Sequence, residues 1–298
     1  MNVSIVIVNY NVKEYIVPCI NSIYKYSKSK YTYEIIVIDN NSVDGSIETL
    51  KNKFSKVKII ANNQNVGFSK ASNQGAKQSR GENILFLNPD TLFVEDSLEK
   101  LIIESEKRNC KGIIGPKIVD QVGSTQQSFW RYPTIFNTII SLLYLDFLNQ
   151  RKNYKNIALD RATRVDSISG CGLFISKKLF NKLDGFNEIF FWMEDIDLCL
   201  RSNMLGENVI YYPLTKIKHI SGASSQKNYK ITILNQLNSK IKYFKIHHSK
   251  TSSLIIQFFI LAISTIKIIF FLFFSLFSKK FKIKLSAYLS AIKAIYFK

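Results

Sequence analysis

The sequence predicts an α/β fold in which a mostly parallel, doubly wound sheet is flanked by helices. Four short apolar runs lie in the first 90 residues, and a stretch of helical character follows each of them. Polar residues end every run, as expected at the carboxyl edge of a parallel sheet, where ligands bind. With 298 residues, 46% of them hydrophobic, the chain can form one large domain or two smaller ones.

The predicted strands and helices of this half are short and regularly spaced. We expect strands over 3–8, 34–38, 57–60 and 84–87, and helices over 18–26, 47–53, 69–79 and 95–108. The pattern weakens after residue 110. There we expect strands over 112–115, 173–176 and 208–212, a loop over 126–133, an apolar helix or flap over 136–148, a basic connection over 149–164, and helices over 177–183 and from about Met193.

Polar side chains follow each of the first four strands. They are Asn9 and Tyr10, Asp39 and Asn41, Asn65, and Asn88 with Asp90. Because the carboxyl ends of parallel strands share one edge of the sheet, these residues predict a polar pocket. Neither a GxGxxG motif nor a P-loop motif follows any of the strands, so dinucleotide binding and P-loop phosphate chemistry are not indicated.

Asp90 is a candidate metal ligand. A carboxylate at the end of a buried strand suits Mg²⁺ or Mn²⁺, and such an ion would neutralise the diphosphate of a bound nucleotide. Taken alone, an aspartate after Pro89 is more often a turn residue.

The stretch 191–201 places three carboxylates within four residues, directly after two aromatic side chains. We expect Glu194 and Asp195 in the first turn of a helix, where Phe191 and Trp192 would shield them from water. Desolvation raises the pKa of a carboxyl group towards the range of a general base. The alternative, that both acids only complement the helix dipole, fits these residues equally well.

The rest of this helix has a simpler interpretation. Ile196, Cys199 and Leu200 share an i, i+3, i+4 face that we expect to pack inward. Asp197 and Arg201 are spaced for a surface ion pair.

Three further features have both a binding and a structural interpretation. The loop over 126–133 concentrates amides, aromatic rings and a guanidinium, which suits a sugar but also suits a loop packed on itself. Gly170 and Gly172 permit close approach of the backbone to a ligand or to a neighbouring strand. His219 stands alone, and a lone histidine is more often structural than a ligand.

The cysteines exclude two classes of site. Residues 19, 110, 171 and 199 show no CxxC spacing and no pattern with the histidines, so we expect reduced, mostly buried thiols rather than a zinc site or a disulfide framework. The N-terminal apolar run is too short for a signal peptide, so we expect the chain to begin in the cytosol.

The net charge of +19 is concentrated towards the C-terminus. No acidic residue follows Glu207, whereas fifteen lysines do, and this asymmetry indicates an anionic partner surface. Residues 254–277 are almost wholly apolar and long enough to cross a bilayer, and lysines 279, 280, 282 and 284 lead into an amphipathic stretch over 285–297. Monotopic or hairpin-like attachment to an anionic leaflet and a single span both remain open, and lipid is favoured over nucleic acid because the lysines flank apolar surface.

Taken in order and with their spacing, these motifs resemble the family-2 glycosyltransferases, in particular the rhamnosyltransferase-like branch of bacterial surface polysaccharide enzymes. The resemblance covers about residues 2–225. It rests on residues 4–11, 37–42, 44–46, 65–68 with Asn73, 87–90, 170–172 and 194–201.

The resemblance implies a GT-A-type, Rossmann-like fold and inverting transfer of a sugar from a nucleotide diphosphate donor. It implies that Asp195 is the catalytic base, with Glu194 beside it, and that Asp90 binds the metal ion, Mg²⁺ or Mn²⁺. It also places His219 near that ion, which favours a functional role for the histidine. The other residues implied by position are, for the donor, Asn9, Tyr10, Asp39, Asn41, Asn65, Gly67, Asn73 and Asn88, and, for the acceptor, Trp130, Arg131 and Gly170.

Asn88 departs from the Asp-x-Asp pattern that many relatives carry, and because a neutral asparagine supplies an oxygen but no charge, we expect modest metal affinity. We expect residues 1–110 to bind the nucleotide-sugar, 111–225 to bind a lipid-linked or polysaccharide acceptor, and 226–298 to associate with the cytoplasmic face of the cell membrane. The alternative is a catalytically silent partner protein in a polysaccharide assembly complex.

Overall fold

A computed structural model describes residues 1–28, 30–143, 145, 160–220 and 229–297. The chain divides into two compact units. The first unit comprises Met1–Tyr132, Ile157–Glu188 and Glu194–Ser224, and the second comprises Pro133–Asn156, Ile189–Met193 and Ser225–Lys298. The predicted apolar helix or flap over 136–148 is described up to 143 and at 145, whereas the basic connection over 149–164 is described only from 160 onwards.

The strands lie in the first unit. Their bounds are β1 (Val3–Asn9), β2 (Tyr33–Asp39), β3 (Lys58–Ala61), β4 (Asn83–Leu87), β5 (Thr91–Phe93), β6 (Ile113–Val119), β7 (Phe129–Trp130), β8 (Thr163–Arg164), β9 (Ser167–Ile168), β10 (Gly172–Ser176) and β11 (Val209–His219). Helices occur in both units. They are α1 (Lys13–Tyr26), α2 (Ser46–Lys53), α3 (Phe68–Lys77), α4 (Ser97–Lys107), α5 (Ile135–Leu142), α6 (Lys177–Lys182), α7 (Glu194–Met204), α8 (Tyr229–His247), α9 (Lys250–Ser275) and α10 (Lys279–Tyr296).

The main sheet has the order β3-β2-β1-β4-β10-β6-β11-β5, with β8 beside β11. Strands β3, β2, β1 and β4 are mutually parallel, as the sequence predicts. Strand β3, at the edge of the sheet, is only partly buried, whereas β1, β2 and β4 are buried apolar runs in which Val3, Ile5, Ile7, Ile36 and Leu85 are at most 1% exposed. Such continuous burial is typical of parallel strands covered on both faces.

Strand β10 runs antiparallel to both of its neighbours, β4 and β6. Gly172, its first residue, pairs with Leu87, the last residue of β4. The backbone that leads into β10 therefore lies at the carboxyl edge of the parallel strands. Strand β11 is parallel to β6, so His219, at the end of β11, lies at that same edge.

Helix α1 begins at Lys13, five residues before the predicted start at Pro18. The Lys13 N–H donates a hydrogen bond of 2.8 Å to Asp44 Oδ2, which pairs one of the free amides of the first helical turn. The buried stripe of the helix also begins before the proline, at Ile16, and continues through Cys19, Ile20 and Ile23.

Other differences from the prediction are local. A short strand, β5, precedes α4, and part of the predicted loop over 126–133 forms β7, which pairs with β9. Strand β11 extends seven residues beyond the predicted end at 212, because it pairs with β6 and β5 up to His219.

The second unit contains the C-terminal helices. Helices α8, α9 and α10 pack against one another, and α5 packs against α9. Among the described residues, α9 alone has the length and apolar character to cross a membrane, with a mean hydropathy of 2.4 in its most apolar window. Only 28% of that window is buried, so α9 is not a core helix.

A close contact between α3 and β1 can be tested by substitution. A Cβ atom on Gly75 would lie 2.4 Å from Val6 Cγ1, and the stiff, β-branched valine cannot easily move away. We expect Gly75→Ala to lower the free energy of unfolding by about 1–3 kcal/mol, measured by urea denaturation, because the overlap outweighs alanine's better helix propensity.

Lys70→Ala, at an exposed position of the same helix, is the control and should leave stability nearly unchanged. In Gly75→Ala/Val6→Ala the losses should be less than additive, since the second substitution removes the overlapping methyl groups. A Gly75→Ala variant as stable as the parent would contradict the packing.

Candidate active site

The ends of β1 and β2 are joined by a buried polar cluster. Asn9 and Asp39 are neighbours in the strand register, and both side chains are fully buried. Asn9 Nδ2 donates hydrogen bonds to Asp39 Oδ1 at 2.6 Å and to Ser42 Oγ at 3.0 Å. Asp39 Oδ2 accepts the Ser42 N–H at 2.8 Å. Both oxygens of Asp39 are thus held in fixed directions at the carboxyl edge.

The loops beyond these two strands bend sharply. Asn41 has a positive φ of 67°, a conformation that asparagine tolerates better than most residues. Tyr10, directly after β1, is 39% exposed. The residue that follows the buried Asn9 therefore presents an exposed aromatic ring at this edge.

A chain of amides links the ends of β2 and β3 to α3. Asn40 Nδ2 donates to the Gly67 carbonyl at 3.3 Å, and Asn40 Oδ1 accepts from Asn62 Nδ2 at 2.9 Å. Asn65 Oδ1 accepts the Gly67 N–H at 3.0 Å, and the φ of 85° at Gly67 turns the chain into the helix. Asn40 and Asn62 were not singled out by the sequence, because asparagines are common in turns.

Asn73 has different surroundings from the other candidate donor residues. Its Oδ1 accepts the Phe186 N–H at 2.9 Å, and its Nδ2 donates to the Phe186 carbonyl at 2.8 Å and to Glu188 Oε1 at 3.1 Å. The Asn73 amide therefore links α3 to the loop around Phe186 by hydrogen bonds.

Asn88 and Asp90 follow β4 at the same edge. The Asn88 N–H donates to the Cys171 carbonyl at 3.2 Å, and the Asn88 carbonyl accepts from Thr91 Oγ1 at 2.7 Å. Asp90 is 8% exposed, so the carboxylate of this turn is largely buried rather than solvated, unlike that of an ordinary surface turn.

Asp90 Oδ1 lies 3.4 Å from His219 Nε2. His219 is oriented by Gln126, whose Oε1 lies 3.2 Å from His219 Nδ1 and whose Nε2 donates to the His219 carbonyl at 3.3 Å. Gln126 was not identified as a site residue, because it is 93 positions away and no local signal connects the two.

An oxygen and an imidazole nitrogen at this separation fit two adjacent ligand positions of one divalent ion. Within the described ranges, no group of three or more His, Cys, Asp or Glu residues could hold a metal ion. The set nevertheless fits Mg²⁺ or Mn²⁺, because such ions are commonly held by one or two protein groups together with substrate phosphates.

Asp195 is positioned by the turn that leads into β10. Its Oδ2 accepts the Gly170 N–H at 2.9 Å, and its Oδ1 accepts the Ile196 N–H at 2.8 Å. Residues 128–130 lie against 167–169, and Trp130 pairs with Ser167, three residues before Gly170, with its carbonyl accepting from Ser167 Oγ at 3.0 Å. Arg131, the next residue, is exposed.

Burial and mutual repulsion perturb the acidic pair. Desolvation raises the pKa of Glu194 to about 8, and the charge of Asp195 adds to the rise. Glu194 Oε2 is buried, and no described residue forms a hydrogen bond with it. Desolvation also raises the pKa of Asp195, while the N–H groups of Gly170 and Ile196 lower it. Both changes are in the direction a general base requires.

Two expectations for this helix are wrong. The first is the surface location of Asp197, which is fully buried, although its predicted ion pair with Arg201 is present at 2.7 Å. Arg201 also donates to the carbonyls of Leu183 and Gly185, so the pair joins α7 to that loop.

The inward face of α7 also differs from the predicted one. It consists of Asp197, Leu198, Cys199 and Ser202, whereas Ile196 and Leu200 are only partly buried. The paired charge allows Asp197 to take an inward position that an isolated carboxylate could not.

The chain enters α7 under backbone strain. Met193 has a φ of 77°, which costs a non-glycine residue about 1 kcal/mol or more. Phe191 and Trp192 are 49% and 42% exposed, so neither ring is itself withdrawn from water. Their predicted role as a shield is therefore not supported by their exposure.

Asp90 and Asp195 both lie close enough to Cys171 for their charges to act on its thiol. Burial raises the pKa of its thiol to about 12, and the charges of Asp90 and Asp195 both contribute to the rise. One short backbone segment therefore holds Asp195 through Gly170 and the Asp90 turn through Cys171.

Comparison with known proteins agrees with this layout. Residues 4–184 match the family model described as Glycosyl transferase family 2. An N-acetylglucosaminyl-diphospho-decaprenol L-rhamnosyltransferase of Mycobacterium tuberculosis is 24% identical over 210 residues, which cover 65% of this chain and 68% of the relative.

Two solved structures share the fold. GalNAc-T7, crystallised with UDP, GalNAc and Mn²⁺, has a TM-score of 0.61 at 15% identity, covering 82% of this chain and 47% of that one. S. aureus TarS has a TM-score of 0.54 at 19% identity, covering 84% and 44%. The chain thus spans less than half the length of either solved chain. The predicted GT-A-type α/β fold is confirmed.

The raised pKa of Glu194 predicts a change of stability with pH. The folded state keeps this proton to about pH 8, whereas an unfolded glutamate loses it near 4.5, so the contribution is present at low pH and is lost as pH rises between these values. Glu194→Gln cannot lose a proton. Its free energy of unfolding relative to the parent should therefore rise by about 4 kcal/mol between about pH 5 and pH 8.5, at about 1.4 kcal/mol for each unit between pH 5 and the folded-state pKa of about 8.

Chemical denaturation across this range provides the measurement. Glu106→Gln, at an exposed position, should track the parent at every pH. Parallel curves for Glu194→Gln and the parent would show that the carboxyl group ionises in the folded state as it does in water.

Proposed function

Because the chain belongs to glycosyl transferase family 2, we propose that it transfers a sugar from a nucleotide diphosphate donor to an acceptor hydroxyl with inversion at the anomeric carbon. The observation that carries the proposal is the turn at Gly170 and Cys171, which holds Asp195 on one side and the Asp90 turn on the other. In-line displacement needs a base at one face of the sugar and a neutralised leaving group at the other.

Asp195 is the proposed base. It takes the proton of the acceptor hydroxyl while that oxygen bonds to the anomeric carbon and the bond to the diphosphate oxygen breaks. The two backbone N–H groups on its carboxylate fix its direction. Glu194, whose pKa is about 8, remains protonated near neutral pH and so does not place a second negative charge beside the base.

The proposed leaving-group site is Asp90 with His219. These two residues would hold a divalent ion, which would supply positive charge to the departing diphosphate. An imidazole ligand favours Mn²⁺ over Mg²⁺, because nitrogen suits transition metals better than it suits magnesium. Gln126 keeps His219 in place for this role.

The donor side is assigned to the carboxyl edge of the parallel strands. Asp39, held by Asn9, would accept hydrogen bonds from the base or ribose, and Tyr10 would cover one face of the nucleoside. The remaining donor residues act through the loops that they shape. They are Asn41, Asn65, Gly67, Asn73 and Asn88.

The acceptor is assigned to the other side of Asp195. Trp130, Arg131 and Gly170 would contact it, since an aromatic ring and a guanidinium suit a sugar and its hydroxyl groups. The Mycobacterium tuberculosis relative, named as a rhamnosyltransferase acting on a diphospho-decaprenol, supports rhamnose as the sugar and a lipid-linked acceptor in bacterial surface glycan synthesis. A polysaccharide acceptor is the other candidate.

The proposed division of labour follows from these assignments. Residues 1–110 bind the donor, 111–225 bind the acceptor and supply the base, and 226–298 associate with an anionic membrane, not nucleic acid, at its cytoplasmic face.

Removing the proposed base tests the reaction. Asp195→Asn keeps the size of the side chain but cannot take a proton, so we expect transfer, measured as release of the nucleoside diphosphate with acceptor present, to fall by about 10²–10⁴-fold. Donor binding should be retained.

Asp184→Asn is the control, because Asp184 is exposed and its φ of 57° suits asparagine equally well. Unchanged transfer in Asp195→Asn would remove this residue from the mechanism. A well-folded parent that neither binds nor turns over any donor would favour the catalytically silent partner protein.

Metal-dependent donor binding tests the proposed role of Asp90 as a metal ligand. At about 100 times its Kd, a nucleotide-sugar with Mn²⁺ should stabilise the protein by about 2.7 kcal/mol in thermal unfolding. Asp90→Ala should abolish the metal-dependent part of this shift, and His219→Gln should reduce it more with Mn²⁺ than with Mg²⁺. A shift of equal size without metal, or in Asp90→Ala, would contradict the assignment.

A further inference from the structure

We infer that the second unit attaches to an anionic lipid surface through one face of α9, with α9 lying along the membrane rather than crossing it. The inference rests on the proposed function only for its location at a membrane, and it names the inserting surface and the mode of attachment.

Helix α9 has two distinct faces. The packed face is formed by the buried residues Ser253, Ile256, Ile260, Ile263, Ser264, Phe271 and Ser275. The opposite face carries what we call the exposed stripe, whose members are 61% to 77% exposed. It consists of Phe258, Ile266, Ile269, Phe273 and Leu276.

The exposed stripe presents almost no hydrogen-bonding group. Between residues 254 and 277, every exposed side chain is apolar except Thr265, whose hydroxyl donates to the Leu261 carbonyl at 2.9 Å. Exposing a continuous apolar surface of this kind to water is energetically unfavourable, and such a surface marks an interaction site. It offers hydrocarbon contact without the polar groups that would orient a specific protein partner.

The charged residue in the middle of α9 faces away from the stripe. Lys267 Nζ lies 3.3 Å from the Oη atom of Tyr288, a residue of α10, and 5.3 Å from the centre of the Tyr288 ring. The lysine that would hinder insertion is thus held between the helices.

Lysines at one end of the stripe select an anionic partner. Lys279, Lys280 and Lys282 are exposed and follow directly after Leu276 and Phe277. No Asp or Glu occurs beyond Glu207 to offset them. Apolar side chains with adjacent lysines match the acyl chains and headgroups of an anionic leaflet.

The packing of α10 argues against a span. Helix α10 runs antiparallel beside α9 over most of its length, with Tyr296 Oη donating to the Gln257 carbonyl at 2.6 Å and Lys284 Nζ 5.6 Å from the ring centre of Phe271. Lys282 and Lys293 are exposed along α10. If α9, about 39 Å long, crossed the bilayer with α10 beside it, lysines would enter the hydrocarbon core. Attachment by one face leaves them in water.

Vesicle flotation of the full chain tests the partner. The chain should float with phosphatidylcholine vesicles that contain about 30% phosphatidylglycerol and bind phosphatidylcholine alone far more weakly. Ile269→Asp/Phe273→Asp should reduce binding by roughly tenfold or more, since two members of the stripe become charged. Lys279→Gln/Lys280→Gln/Lys282→Gln should reduce it by roughly 100-fold, at about fivefold for each lysine near the surface.

Matched controls separate these effects from a general change of charge. Met204→Asp/Leu205→Asp introduces the same charges at exposed apolar positions of the first unit, and Lys51→Gln/Lys53→Gln/Lys56→Gln removes three exposed lysines there. Both should bind as the parent does. Asp195→Asn should also bind normally, so a failure of the proposed sugar transfer would leave this result intact.

The accessibility of single cysteines tests whether α9 lies along the membrane or crosses it. In a Cys110→Ser background, Thr251→Cys and Lys282→Cys place a thiol near each end of α9. Attachment by one face predicts that an impermeant maleimide labels both from the same side of sealed bacterial membrane vesicles. Labelling from opposite sides would show a span, and binding to native membranes but not to protein-free vesicles would show a protein partner; either result would overturn the inference.

Discussion

Strand β10 runs antiparallel between β4 and β6, and this direction brings the rest of the site together. Were β10 parallel to them, its first residues would lie at the opposite edge of the sheet. Instead, Gly170 and Cys171 arrive beside the end of β4, where one backbone N–H reaches Asp195 and one carbonyl reaches Asn88. The parallel strands contribute the carboxyl edge at which the donor is proposed to bind. The antiparallel strand β10 brings Asp195, on α7, to the same edge.

The carboxylates at or near this edge are stabilised in different ways, and the differences match the roles proposed for them. Asp39 is held by an asparagine amide and a backbone N–H, and Asp197 is neutralised by Arg201. Both are therefore fixed in structure. Glu194 lacks such support at its buried oxygen, and its proton is correspondingly hard to remove. Asp195 is intermediate, since it is only partly buried and accepts two backbone N–H groups.

Features encoded by neighbouring residues were predicted well, and features set by distant contacts were not. The bounds of the first four strands were predicted to within one residue, because β-branched apolar runs signal a strand by themselves. The start of α1 was missed because it depends on Asp44, 31 positions away. The reversed direction of β10 has no local signal, and neither has the contact between Gln126 and His219. The ion pair of Asp197 followed from its spacing, but its burial depends on carbonyl groups elsewhere in the fold.

The buried thiols around the site bear on how the protein responds to oxidants. Cys19 and Cys171 both lie close enough to Asp90 for its charge to affect them, and burial raises the pKa of each thiol to about 12. They therefore stay protonated at physiological pH, and a buried, protonated thiol reacts only slowly with oxidants and alkylating agents. The apolar packing that keeps these cysteines neutral thus also protects the edge of the sheet from oxidative damage.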